Sequence, residues 1–178
     1  MNNPQESLDR PKSNEYRTIE QTMEKLSGGT RRLAAQLTTS ASFDSLWNVL
    51  TDYDRLNLYI PNLLSSKKIY QKNNNVHLKQ VGAQDFLGMK FSAEVTIDLL
   101  EDKELGLLKF SLIKGDFRKF EGSWKIQNIK DSSKNSLIYD LTVQGCQWMP
   151  IGMIEKRLKK DLSENLIAVD RQAKSATN

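Results

Sequence analysis

From Thr30 onward the spacing of apolar residues follows one repeat at a time and changes three times. In "TRRLAAQLTTS", Leu33, Ala35 and Leu37 alternate with Arg32, Ala34 and Gln36, the two-residue repeat of a strand with one covered face. In "SASFDSLWNVL" the spacing becomes helical: Ser42 is placed to cap the first turn, and Phe43, Leu46, Trp47 and Leu50 share a side. A second, very short helix is predicted from Asp54, whose carboxylate would cap it, and it stops before Pro61. The two-residue repeat then returns for most of the chain. Val76, Leu78, Gln80 and Gly82 fall in one phase. So do Phe91, Ala93, Val95, Ile97 and Leu99, then Leu108, Phe110 and Leu112, then Phe120, Gly122, Trp124 and Ile126, and finally Leu137, Tyr139, Leu141 and Val143. Turn-forming stretches such as "KNNN", "EDKELG", "KGD" and "KDSSKNS" separate them, which implies antiparallel neighbours. The chain closes on a helix of more than five turns opened by Pro150. Its stripe is Ile151, Ile154, Leu158, Leu162, Leu166, Val169 and Ala173.

This order predicts an α+β domain over residues 29–175. A curved antiparallel sheet of six or seven strands has an apolar concave face, and only the last helix is long enough to cover it. The two short helices close one end. Leu56, Leu58, Tyr59 and Ile60 either fill the space between sheet and helix or line its mouth. Residues 1–28 are polar, end in "SGG" and read as a flexible tail with a helical turn near "TIEQTMEKL".

Composition narrows the function classes. Charged residues make up 27% of the chain and no apolar run approaches a membrane span, so a cytoplasmic domain is expected, with no secretory signal at the N-terminus. The net charge of +4 is mild, and no aromatic and basic residues interleave as on an RNA-stacking sheet, so no DNA partner is expected. One cysteine, Cys146, excludes an intrachain disulfide and reads as a buried structural thiol. The single histidine, His77, lies out of phase with Val76 and Leu78 and points to the wet face. No two carboxylates share the inward phase of adjacent strands. No catalytic set, metal site or cofactor is therefore expected. Asp52 and Asp54 serve capping and turns rather than a metal. Gly115 and Asp116 make a tight hairpin, Gly122 relieves crowding or bends the sheet, and Arg118 and Glu121 form an exposed pair.

Four segments carry a resemblance: "WNVLTDYDRLNLYIPNLLSS", "QVGAQDFLGMKFSAEVTIDLLE", "KGDFRKFEGSWKI" and "MPIGMIEKRLKKDLSENLIAV". In this order they resemble the polyketide cyclase/dehydrase and lipid-transport group of the START-like (SRPBCC) superfamily. The resemblance is to the coenzyme Q-binding START-domain branch in its cyanobacterial and plastid form. It covers about residues 29–174. It implies a helix-grip fold, with an apolar cavity between sheet and last helix that holds a lipid, quinone, isoprenoid or polyketide-like ligand. Most members of the group carry or present a ligand, a minority cyclise or dehydrate it, and one bacterial relative acts on ribosomes. The resemblance supplies no catalytic residues.

The expected site is thus a ligand cavity. Phe91, Val95, Phe110, Phe120, Trp124 and Tyr139 form its sheet wall, and Ile154, Leu158 and Leu162 its helix wall. Tyr53, Tyr59 and Ile60 form a gate that moves for entry, while Ala93, Gly82 and Gly122 leave room. Gln80 falls on the covered face, where its amide needs a partner, either the backbone or a ligand carbonyl, and the Tyr139 hydroxyl is placed in the same way. Lys156, Arg157, Lys159 and Lys160 run along the outer side of the last helix, either as a solvated face or as a dock for an anionic membrane surface or a ribosome. The leading expectation is a non-enzymatic carrier. A cyclase/dehydrase-type enzyme and a ribosome- or protein-interaction module are the alternatives.

Overall fold

The computed structural model describes residues 19–86, 89–146 and 151–176, of which residues 84–86, 89–91, 151–154 and 156 are described by their backbone alone. Eight strands form one antiparallel sheet: β1 (Ile19–Lys25), β2 (Arg31–Thr39), β3 (Leu63–Lys72), β4 (Asn75–Phe86), β5 (Met89–Asp102), β6 (Leu107–Gly115), β7 (Phe117–Asn128) and β8 (Asn135–Gly145). Their order across the sheet is β1-β2-β8-β7-β6-β5-β4-β3. Helix α1 (Phe43–Thr51) and a short 3-10 helix (Tyr53–Leu58) sit between β2 and β3, and helix α2 (Ile151–Ser175) ends the described chain. This is the expected helix-grip fold, with eight described strands where six or seven were expected.

Alternation decides which face is covered. Leu33, Ala35, Leu37 and Thr39 of β2 are buried, as are Leu137, Tyr139, Leu141 and Val143 of β8, and Leu162, Leu166, Val169 and Ala173 of α2 pack with them. A buried polar tie sits within that contact. The Thr39 hydroxyl donates to Asp170 of α2 and accepts from the Ala41 N–H at 2.9 Å. The two strands that the alternation did not show, β1 and β3, are the edges. β1 was expected to be a flexible tail with a helical turn; instead Ile19–Lys25 pairs along β2, so the sheet begins ten residues earlier than residue 29. β1 and the start of β2 also hold α2 in place. Gln21 Nε2 donates to the Lys159 carbonyl at 2.6 Å, and Glu155 is clasped by Arg31 and by Lys25, the latter at 3.6 Å.

The helical corner departs from expectation in one detail. Ser42 caps α1 by accepting from the Ser45 N–H at 3.1 Å, as its position predicts. The 3-10 helix has no side-chain cap among the described residues; the Asp54 carboxylate instead accepts from the Lys68 N–H at 2.8 Å and fastens the corner to β3. Asp52 faces Arg55 at 3.5 Å.

Between β6 and β7 the expected tight hairpin is replaced by a parting of strands. Their pairing ends at Ser111–Glu121, beyond which β6 stays with β5 and β7 stays with β8. Asp116 is docked on β5, its N–H donating to the Glu94 carbonyl and its carboxylate accepting from the Glu94 N–H. Glu121 pairs with Lys119 at 2.9 Å rather than with Arg118. Gly106, at φ +62°, closes the preceding turn so tightly that a Cβ there would lie 2.4 Å from the Ile126 carbonyl oxygen, which leaves glycine as the workable residue.

Candidate ligand-binding site

Sheet and α2 do not meet as a solid interior. A cavity of about 350 Å³ lies between them, walled mainly by apolar side chains and within the size range of small-molecule sites. The inner phases of β4 to β8 supply one wall. Val95, Phe110, Phe120, Trp124 and Tyr139 all line it, with Phe117 added at the point where β6 and β7 part. The rings form a continuous surface. Trp124 stacks on Tyr139 at 4.0 Å with planes 9° apart, and Phe110 lies 5.6 Å from Phe120 and 6.3 Å from Tyr139. Leu158 and Leu162 of α2 form the opposite wall. The side chains of Phe91 and Ile154, expected on the two walls, lie outside the described residues, as does Trp148.

Small residues open the middle of the sheet. Ala93 faces Gly82 across β5 and β4, and both line the cavity. Gly122, also expected to leave room, does not. The Phe110 ring lies over it, so that a Cβ on Gly122 would be 2.8 Å from Phe110 Cζ and 2.0 Å from the Asp140 carbonyl oxygen.

The expected gate is tied down. Tyr53 and Ile60 line the cavity, but the Tyr53 hydroxyl is buried and donates to Glu101 at 2.5 Å. Burial first, and then the Glu101 carboxylate, push its pKa well above the ordinary tyrosine value. Tyr59 does not line the cavity; it packs on the core, and its hydroxyl donates to the Val49 carbonyl at 2.6 Å. These hydrogen bonds tie the corner to Glu101 and to α1, with Leu56 turned to the cavity and Leu58 exposed.

Polar groups in the cavity are few. Gln80 lines it and donates from Nε2 to Ser66 Oγ at 3.1 Å, which fixes the amide. Tyr139 is buried, and burial followed by the Asp161 charge raises its pKa, so its hydroxyl keeps its proton at neutral pH. Three further polar residues of the cavity come from α2, one helical turn apart: Asp161 and Asn165, which the sequence did not single out, and Arg157. Arg157 was expected on the outer face. It turns inward, and its Nε approaches Asp161 Oδ1 at 3.1 Å as an ion pair without hydrogen-bond alignment. Asp161 Oδ1 also accepts from Asn62 Nδ2 at 3.3 Å. Lys159 and Lys160 are exposed, Lys160 lying 3.5 Å from Glu164, while the Lys156 side chain is outside the described residues. One signal was available. Asn165 comes seven residues after Leu158, about 20° short of two full turns, and so falls inside the apolar stripe.

The remaining reactive side chains lie elsewhere. His77 is on the outer face against Tyr70, 3.6 Å from Asp98. Cys146 is half-buried rather than buried, its Sγ 2.8 Å from the Asp116 carbonyl oxygen. Among the described residues no cluster of three or more His, Cys, Asp or Glu side chains is arranged to hold a metal ion, and no helix is long and apolar enough to cross a membrane.

A curved antiparallel sheet with a C-terminal helix is also the fold to which comparisons with known proteins lead. The family model described as polyketide cyclase / dehydrase and lipid transport matches residues 39–170, well over half of the chain. The chain belongs to this family. The match runs from the last residue of β2 to Asp170 of α2 and so contains every described residue that lines the cavity. No curated protein matches significantly. Among solved structures, the family member is similar to a STAR-related lipid transfer protein from Xanthomonas axonopodis, at a TM-score of 0.74 and 12% identity, over 88% of this chain and 93% of that one. It is similar to the Zhui aromatase/cyclase from Streptomyces sp. R1128 at a TM-score of 0.71 and 15% identity, over 84% and 96% of the two chains. Human StAR-related lipid transfer protein 5 follows at 0.72 and 6%, over 90% and 84%. At these identities the likeness establishes the fold.

Proposed function

We propose that the protein is a non-enzymatic carrier that holds a hydrophobic small molecule in the cavity between sheet and α2, and transports or presents it. Family and fold fit a domain that binds a hydrophobic ligand. The observation that carries the reading is the cavity itself: about 350 Å³ of open space with aromatic and aliphatic walls where a core would otherwise be. Protein interiors are close-packed, and leaving such a volume unfilled forgoes contacts with no gain in stability. A guest recovers them, at about 25 cal/mol for each Å² of its apolar surface taken from water. The resemblance to the coenzyme Q-binding branch makes quinones and other isoprenoids the first ligands to try. Exchange at an anionic membrane surface would use the exposed Lys159 and Lys160. Native mass spectrometry of protein purified from its own cells, followed by solvent extraction, tests the reading. A stoichiometric apolar adduct supports it; empty protein that also takes up no quinone, carotenoid or fatty alcohol removes it.

A cyclase-type enzyme is the second reading, favoured by one observation. Tyr139 and Asp161 give the cavity a protonated hydroxyl and a carboxylate. Asp161 is already engaged by Arg157 and Asn62, which makes it a poor free base. Loss of a defined product on Tyr139→Phe, with binding retained, would favour the enzyme.

A further inference from the structure

We infer that the cavity selects an uncharged amphiphile, whose hydrogen-bonding head sits beside Asp161 and Asn165 on α2, and excludes carboxylates and ammonium groups. This rests on the carrier reading and deepens it. Of the described residues that line the cavity, only Arg157 and Asp161 are charged, and they face each other at 3.1 Å. Among the described lining residues these charges offset each other, so an ionised head would meet no spare counter-charge from them. A carboxylate drawn to the Arg157 guanidinium would also meet the Asp161 carboxylate already against it, and an ammonium drawn to Asp161 would meet Arg157. Asn62, donating to the same Asp161 oxygen, holds that carboxylate in place.

The other polar groups suit a neutral head. Asn165 lines the cavity, and its buried Oδ1 has no hydrogen-bond partner among the described residues. Gln80 and Tyr139 bring a further amide and a protonated hydroxyl from the sheet wall. Amides and hydroxyls exchange hydrogen bonds with an alcohol, amide or carbonyl without a counter-ion. The aromatic wall of Phe110, Phe120 and Trp124 is left for the apolar body.

The test uses three ten-carbon amphiphiles that differ only in their heads, decan-1-ol, decanoate and decylammonium. Each competes with Nile red bound to the full chain at pH 7.5. The alcohol is expected to bind the wild type roughly tenfold or more tighter than either ion. Any oily pocket gives part of that preference, so the decisive reading is how the ratio moves in variants. Asp161→Asn, which leaves Arg157 unpaired, should shift the decanoate-to-decanol ratio by about tenfold toward decanoate. Arg157→Gln should shift the decylammonium ratio the same way, and the double variant should return to the alcohol preference of the wild type. A purely structural role for the pair would weaken all three ligands together. If the ions bind the wild type as tightly as the alcohol, or if the single variants leave both ratios unmoved, the head assignment is overturned while the carrier reading stands. If neither Nile red nor any of the three binds the folded wild type, the carrier reading falls and this inference with it.

Discussion

Substituting Ala93→Phe separates a hollow interior from a solid one by sign as well as size. Ala93 is on the inner face of β5, opposite Gly82 of β4, and both line the cavity. Around Gly82 the nearest atom to an added Cβ is the Asn62 carbonyl oxygen at 3.5 Å, an ordinary contact, so this part of the wall is not crowded. A phenylalanine ring there would occupy ligand space. It removes up to about 150 Å² of apolar contact from a guest, which at about 25 cal/mol per Å² is about 3–4 kcal/mol, or two to three decades in Kd. The same ring buries its own surface in the unoccupied space, so stability should hold or rise. In a filled core the added bulk would instead cost about 1–3 kcal/mol. Nile red titration and urea unfolding of wild type and variant read both quantities. Unchanged affinity, or a stability loss of the overpacking size, would refute the reasoning.

Other consequences are more local. Tyr53→Phe removes the donor to Glu101 and should cost about 1.5–3 kcal/mol in urea unfolding, the worth of a hydrogen bond to a charged group, with ligand affinity nearly unchanged. Gly122→Val would drive its side chain into the Asp140 carbonyl and the Phe110 ring, and should cost more than about 3 kcal/mol or prevent folding, seen as loss of the cooperative transition. Arg31 holds the Glu155 pKa below its ordinary value of 4.5, chiefly by hydrogen bonding to it. A lowered folded pKa means stabilisation that is present above 4.5 and is lost as pH falls through the folded value. The stability gap between wild type and Arg31→Ala should therefore be widest near neutral pH and close under acid conditions. A gap independent of pH in chemical unfolding would rule this out.

How much of this was legible depends on what each residue reports. β2 and β4 to β8 were readable because each buries one face against the core, so apolar residues recur at every second position. β1 and β3 are the sheet edges and bury too little for that. In β1 only Ile19 and Met23 reach the core, four residues apart, and that spacing imitates a helical turn. In β3 the register shifts twice, at Leu63/Ser65 and at Lys68/Tyr70, so "LLSSKKIYQK" never keeps one phase. The cavity wall could be read for the same reason as the strands. The parting of β6 and β7 could not, because it depends on Asp116 finding Glu94 on β5, a long-range contact that no local pattern records. Likewise Arg157 and Asp161 lie within a run of charges that looks like a solvated face. Their place on the cavity wall is set by how α2 lies against the sheet, which no local pattern records.

The central claim is that an apolar guest lies inside, between the aromatic wall of the sheet and the leucines of α2. The most direct measurement is intermolecular NOE spectroscopy of methyl-labelled protein with saturating decan-1-ol. Contacts are predicted from the ligand chain to the methyl groups of Leu158, Leu162 and Val95, which line the cavity, and none to the exposed Leu64 and Leu105. Contacts confined to the exposed leucines, with the cavity methyl groups silent, would contradict the account.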